Sequence, residues 1–208
     1  SIAAAVAAGV DHFVLHSVLR PQIEAMPHHW RKMRVEEALF QSGISFTILQ
    51  PASYMQNVIA SWDGVVERGV LTAPYSVHSQ SSPVDLHDVA AVAAIVLCDF
   101  RRHSGATYEL CGPEVLTQNQ QAMIISEQIG HEVCVEQIDL NEWVLRARGN
   151  GLGDYPLKAL RMMFDYYDKY GLWGNSNTLH ELLGRTPTSY AAFVQRVMRN
   201  KSMIIHAN

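Results

Sequence analysis

His28 and His29 stand side by side just ahead of Lys32, and a second histidine, His16, precedes Ser17 at the end of a short apolar run. Imidazole changes charge near neutral pH and also ligates metals, so these residue types could serve proton transfer or a metal centre. The metal reading has no third ligand at helical spacing, and the ten histidines show no ligand pattern. Lys32 lies among Arg31, Arg34, Glu36 and Glu37, which by itself describes a solvated helix face. His16 and Ser17 are equally plain strand-end residues. Tyr54, Trp62 and Tyr75 are large aromatics that could line a substrate pocket or simply pack. Asp85 and Asp88 suit helix capping better than catalysis.

The elements that must position these side chains alternate in type. Residues 2–8 are strong helix formers closed by Gly9, and residues 12–16 form a buried-strand run. A helical pattern over residues 29–42 leads through Ser42-Gly43 to a second strand over 44–49, ended by Gln50-Pro51. Helices are expected over 54–68 and 89–100, the latter with Asp88 near its start, then a strand over 107–111. Thr117 caps a helix through Ile129, and Val133 to Ile138 is another strand. Beyond Asn141 the chain is mostly helical, with one helix opened by Asp154 and Pro156 and the last by Thr186-Pro187. Phe164 to Tyr170 is an aromatic stripe assigned to core packing.

This rhythm is that of an α/β domain with a parallel sheet. The 208 residues suffice for one good-sized domain, and a 48% apolar, 17% charged composition is that of a soluble globular chain. A net charge of −4 gives no support to direct nucleic-acid binding. Residues 1–10 lack the basic start of a signal peptide, and 89–97 are too short to span a membrane. Cys98, Cys111 and Cys134 lack CxxC spacing and read as small buried residues of a reducing, cytoplasmic protein. A doubly wound nucleotide domain normally opens with a glycine-rich turn, yet no GxGxxG or GxxGxxG occurs. The expected fold is therefore α/β, the C-terminal portion of a Rossmann-like doubly wound parallel sheet with a smaller, mostly helical region on the substrate side. Residues 1–58 form the back half of the dinucleotide domain. Residues 59–208 interleave its remaining elements with the helical region.

Several blocks resemble the NmrA-like family of atypical short-chain dehydrogenase/reductase proteins. They are residues 9–17 (GVDHFVLHS), 32–39 (KMRVEEAL), 42–51 (SGISFTILQP), 54–57 (YMQN), 83–90, 107–114 and the LGRTPTS run at 183–189 followed by Phe193-Val194. The family includes NAD(P)H-dependent reductases and catalytically silent regulators. The resemblance implies NADP or NAD as cofactor and hydride transfer to a small apolar carbonyl, quinone or enone-like substrate. The alternative is a dinucleotide-sensing regulator that binds a partner protein.

Carried over by position, Lys32 matches the family's active-site lysine, which would hold the nicotinamide ribose and bias a proton donor. Ser17 matches a residue that orients substrate or donor. Pro51, Ala52, Ser53 and Tyr54 match the loop beside the nicotinamide, and Tyr54, Asn57 and Trp62 fall on the substrate side. The usual Tyr-x-x-x-Lys pair is replaced, because His28 occupies the position four before Lys32. Either His28 is the proton donor in that place, or the tyrosine is simply lost and catalysis falls to Lys32, to water or to no group. Gln50 stands where arginine is common. Without the glycine loop, these residues alone are expected to bind NAD(P) poorly, and a sheet lacking its first strands is expected to be completed by a further segment or by an oligomer.

Overall fold

The computed structural model describes residues 2–205, with side chains through residue 200. Ser1 and residues 206–208, the outer ends of the two expected regions, lie outside the described residues. Helix α1 (Ile2–Ala7) is followed by Gly9, whose φ of 67° turns the chain into β1 (Phe13–His16). Helix α2 (Pro27–Phe40) starts earlier than its apolar pattern suggested, because Pro27 fits the first turn, where no N–H bond is needed. Strand β2 (Phe46–Pro51) pairs parallel with β1, Leu15 opposite Ile48. Strand β4 (Ala106–Leu110) pairs parallel on the other side of β2, giving the order β1-β2-β4. All three strands therefore point their carboxyl ends to the same edge, at His16, Pro51 and Leu110. Residues after 58 supply the third strand of this sheet.

The stretch 54–68 is not one helix but a 3-10 segment, Met55–Ser61, followed by α3 (Trp62–Arg68). Gly69 closes α3 in the left-handed region at φ 64° and feeds β3 (Val70–Ala73), a strand the sequence did not reveal. Strand β3 pairs parallel with β5 (Cys134–Gln137) in a second, two-stranded sheet. Helix α6 (Gln118–Ile129) begins with a full capping box between Thr117 and Gln120 and ends at Gly130. Around this second sheet Trp62, Val65, Ile125, Phe193 and Val194 form one buried cluster.

Helix α4 (Leu86–Cys98) is capped by Asp85, whose carboxylate accepts the His87 N–H at 3.1 Å. The expected cap, Asp88, does other work: it accepts from Arg185 at 2.6 Å and from the Thr188 N–H at 2.6 Å. Together with Glu114, which accepts the Tyr190 N–H at 2.7 Å, this holds residues 186–189 out of helical form. The last helix, α10 (Tyr190–Ile205), thus starts later than Thr186-Pro187 implied. Cys111 is buried as expected, whereas Cys98 on α4 and Cys134 on β5 are exposed. Short α5 (Phe100–His103), α7 (Leu140–Gly149), α8 (Asp154–Tyr170) and α9 (Asn177–Leu183) complete the chain.

The segment after β2 is anchored with little freedom. Ser53 and Met55 exchange backbone bonds with Val84 at 2.8 and 3.0 Å. Gly112 packs against this junction so tightly that a Cβ there would lie 1.7 Å from the Pro83 carbonyl oxygen. Tyr54 is held between the two anchored residues.

Candidate active site

Successive side chains on a strand point to opposite faces, so His16 and Ser17 at the end of β1 must diverge. Ser17 turns inward. It is 1% exposed and donates to the buried Glu36 carboxylate, which also accepts two bonds from the Gln50 amide at 3.0 Å. The position predicted to orient substrate is therefore a sealed strut between β1, β2 and α2, and Gln50 belongs to the same strut. A buried carboxylate needs such donors, and this one accepts three bonds from two of them.

His16 turns outward, and its Nε2 lies 2.8 Å from the Tyr54 hydroxyl, the rings edge to face. Lys32, half-buried on α2, donates from Nζ to the His16 carbonyl at 2.8 Å. Burial, followed by the nearby Lys32 charge, lowers the pKa of both His16 and His28. Burial raises that of Tyr54. At neutral pH the group is thus a neutral imidazole against an intact phenol, beside a fixed ammonium. His29 is different: 3% exposed, it bonds through Nδ1 to the Leu19 carbonyl at 2.9 Å. Burial outweighs its backbone bonds and drops its pKa to about 4.

The Tyr54 phenol borders a cleft of about 430 Å³, within the range of small-molecule sites. The loop Pro51–Tyr54, Asn57 and His28 form its strand-end side. Helix α8 forms the opposite wall with Pro156, Leu160, Met163, Phe164 and Tyr167, and Tyr75 closes the back. Tyr75 stacks on Phe164 and meets Tyr167 edge-on, with centroids 5.6 and 5.8 Å apart. At the rim the Arg31 guanidinium covers the Tyr155 ring at 4.0 Å, joining α2 to α8.

The predicted residues Pro51, Ala52, Ser53, Tyr54, Asn57 and His28 come together on this cleft, with Lys32 behind His16. Two do not join them. Ser17 is sealed away, and Trp62 is 2% exposed in the core beneath the second sheet, too large and apolar to leave it. Sequence reasoning missed His16 as a partner of Tyr54; of the α8 stripe assigned to packing, Tyr166 and Tyr167 do pack against the core, while Phe164 and Tyr167 also line the cleft.

A model of the NmrA-like family matches residues 2–194, and the chain belongs to that family. It is 29% identical over 196 residues to quinone oxidoreductase 2 of Escherichia coli, covering 94% of this chain and 68% of that protein. The crystal structure of the NADPH-dependent E. coli quinone oxidoreductase superposes with a TM-score of 0.83 at 28% identity, covering 95% of this chain and 71% of the other. Its complex with NADPH gives the same score. An NAD(P)H azoreductase of Xenophilus azovorans is 26% identical, covering 93% of this chain and 68% of that protein. The negative transcriptional regulator NmrA shares the fold, with a TM-score of 0.69 at 16% identity over 99% of this chain and 70% of that one. The chain thus spans about two thirds of the length of these relatives, and its fold is Rossmann-like α/β.

Proposed function

We propose that this chain carries the nicotinamide and substrate side of an NAD(P)H-dependent reductase that acts on small, apolar carbonyl, quinone or enone-like acceptors. The observation that carries the reading is the Tyr54 phenol, bonded to His16 and facing an aromatic-walled cleft at the carboxyl ends of parallel strands. Ligands of open α/β sheets bind at such ends, and the reductase relatives support the same reaction class.

The donor set fits the ring end of a dinucleotide. The Pro51–Tyr54 backbone and the apolar wall suit a flat ring, and the Lys32 ammonium, held beside them on the His16 carbonyl, suits ribose hydroxyls. Among the described residues no glycine-rich turn follows a strand to take the pyrophosphate. When bound, NADPH or NADH supplies the hydride. The residues of this chain manage the proton. With hydrogen on His16 Nε2, the imidazole donates to the Tyr54 oxygen, and the Tyr54 O–H is free to point at an acceptor oxygen in the cleft. As the acceptor carbon gains hydride, its oxygen takes the Tyr54 proton. Tyr54 recovers one from His16 Nε2 as the exposed imidazole takes one from solvent at Nδ1, so the ring stays neutral throughout. A neutral imidazole and an intact phenol are the forms this relay needs. Lys32 positions the His16 carbonyl, and its charge favours the developing oxyanion. His28, on the cleft wall, is a second proton source near the rim.

The test is steady-state reduction of a quinone and enone panel with NADPH and NADH. Tyr54→Phe is expected to lower kcat about 100-fold or more with little change in KM, the size of a lost general acid. Lys32→Ala should lower kcat and weaken dinucleotide binding. Equal turnover by Tyr54→Phe and the parent protein would refute the relay. Absence of dinucleotide-dependent turnover on every acceptor, in a protein shown by titration to bind the dinucleotide, would refute the reductase reading itself.

A further inference from the structure

Behind the cleft lies a second, smaller cavity of about 130 Å³, bordered like the first by Ser53, Tyr54, Asn57 and Tyr75. Its character is different. Where the cleft is walled mainly by apolar and aromatic side chains of α8, this chamber sets the polar Thr72, Ser81, Gln118, Gln121 and Tyr190 among apolar residues of the second sheet and its neighbours, and no charged residue reaches it. Its volume equals that of roughly four water molecules, enough for a polar substituent but not for a second ring system.

Its hydrogen-bonding capacity is only partly used. The Gln118 amide donates to the Tyr75 hydroxyl at 3.1 Å and the Gln121 amide to the Ser81 hydroxyl at 3.3 Å. Each amide nitrogen carries two hydrogens, and each of these bonds uses one. The Tyr190 hydroxyl, on a residue 1% exposed, is the buried side-chain oxygen among the described residues that has no hydrogen-bond partner. Buried polar groups are ordinarily satisfied, so an incomplete network beside a cavity marks a place for a further polar atom. Burial raises the pKa of Tyr75, to about 12, and of Tyr190, which keeps both hydroxyls neutral and suits them to a neutral oxygen rather than to an ion.

We infer that this chamber is a subsite for a second, neutral oxygen on the acceptor, with Gln118 and Gln121 as the residues that select for it. The inference rests on the reductase reading of the neighbouring cleft. The apolar body of the acceptor lies against α8, its reacting oxygen at Tyr54, and a carbonyl or hydroxyl on the far side of the ring enters the chamber. Acceptors with two oxygens across a ring are thereby preferred to those with one. An acidic substituent is disfavoured, because nothing in the chamber offsets its charge.

Two probes separate this from general apolar binding: 1-tetralone, and 4-hydroxy-1-tetralone, which adds one neutral oxygen across the ring. Calorimetric titration without dinucleotide avoids turnover. The protein is expected to bind 4-hydroxy-1-tetralone about 3- to 10-fold more tightly, the contribution of one or two net hydrogen bonds. Gln121→Met, which keeps the volume and removes the amide, should reduce that preference to under twofold and leave 1-tetralone unchanged. Gln118→Met is the second variant should the first fail to fold, with the same expectation. Equal affinity for both probes, or equal weakening of both in the variant, overturns the subsite. Absence of the preference in the parent protein, with its dinucleotide-dependent turnover intact, fails the subsite alone. An intact preference with no turnover on any acceptor fails the reductase reading alone.

Discussion

Replacing Asp85 by alanine removes a carboxylate that three segments share. It accepts the His87 N–H at the start of α4, the Gln56 amide at 2.7 Å, and an Arg196 N–H from α10 at 2.5 Å. The Asp85 side chain is fully buried and that of Arg196 is 27% exposed. Loss of one partner of a buried pair costs about 3–5 kcal/mol, and the partial exposure of Arg196 places this case near 3. Loss of the helix cap adds about 1 kcal/mol. The expected destabilisation is therefore about 4 kcal/mol, a fall in Tm of about 8–16 °C for a chain of this size. Urea and thermal unfolding followed by circular dichroism measure both values. Asp85→Asn should cost less, because an amide oxygen still caps α4. Burial alone would raise the Asp85 pKa, but the His87, Arg196 and Gln56 donors outweigh it and hold the carboxyl below its usual range. Its contribution is then complete above the unfolded carboxylate pKa and fades as pH falls through the folded value. Stability in Asp85→Ala within 1 kcal/mol of the parent, or an unchanged acid limb, would refute the shared-carboxylate argument.

Two further outcomes follow from packing and burial. Gly112→Ala forces a Cβ to 1.7 Å from the Pro83 oxygen, so backbone must move; a loss of about 3 kcal/mol or more is expected on urea unfolding, with reduced Tyr54-dependent turnover. His29, with a pKa of about 4, should stay neutral by NMR titration down to about pH 5. Because its folded pKa lies below the unfolded value of about 6.5, its contribution is full above pH 6.5 and falls by about 3 kcal/mol as pH drops toward 4; a parent protein equally stable at pH 7 and 4.5 relative to His29→Gln would contradict it.

What could be read from the residues was mainly local chemistry. Thr117, Gly69 and Gly130 mark helix ends by hydrogen-bonding and φ requirements that act within a few residues, whereas Pro27, read as loop, opens α2. The alternation of strand and helix likewise announces a parallel sheet. Strand β3 escaped because Val70–Ala73 is four residues long and gains its identity only from pairing with β5, more than sixty residues on. The side chains at positions 16 and 17 alternate by rule, but which of them faces the cleft depends on where α2 packs. Trp62 and Phe164 show the same limit from two directions. A large aromatic at helical spacing is equally suited to a core and to a cavity wall, and only the tertiary arrangement sends Trp62 to the first and Phe164 to the second.

The division of the cleft between two unconnected stretches of chain has an evolutionary consequence. The strand ends and the loop after β2 hold His16 and Tyr54, the groups proposed to handle the proton, while α8, about a hundred residues later, supplies the opposing wall. Drift along α8 can reshape which acceptors fit without disturbing His16, Lys32 or Tyr54. The chemistry is inherited as one unit and the appetite as another, so descendants of a single scaffold can diverge in diet while keeping one way of delivering a proton.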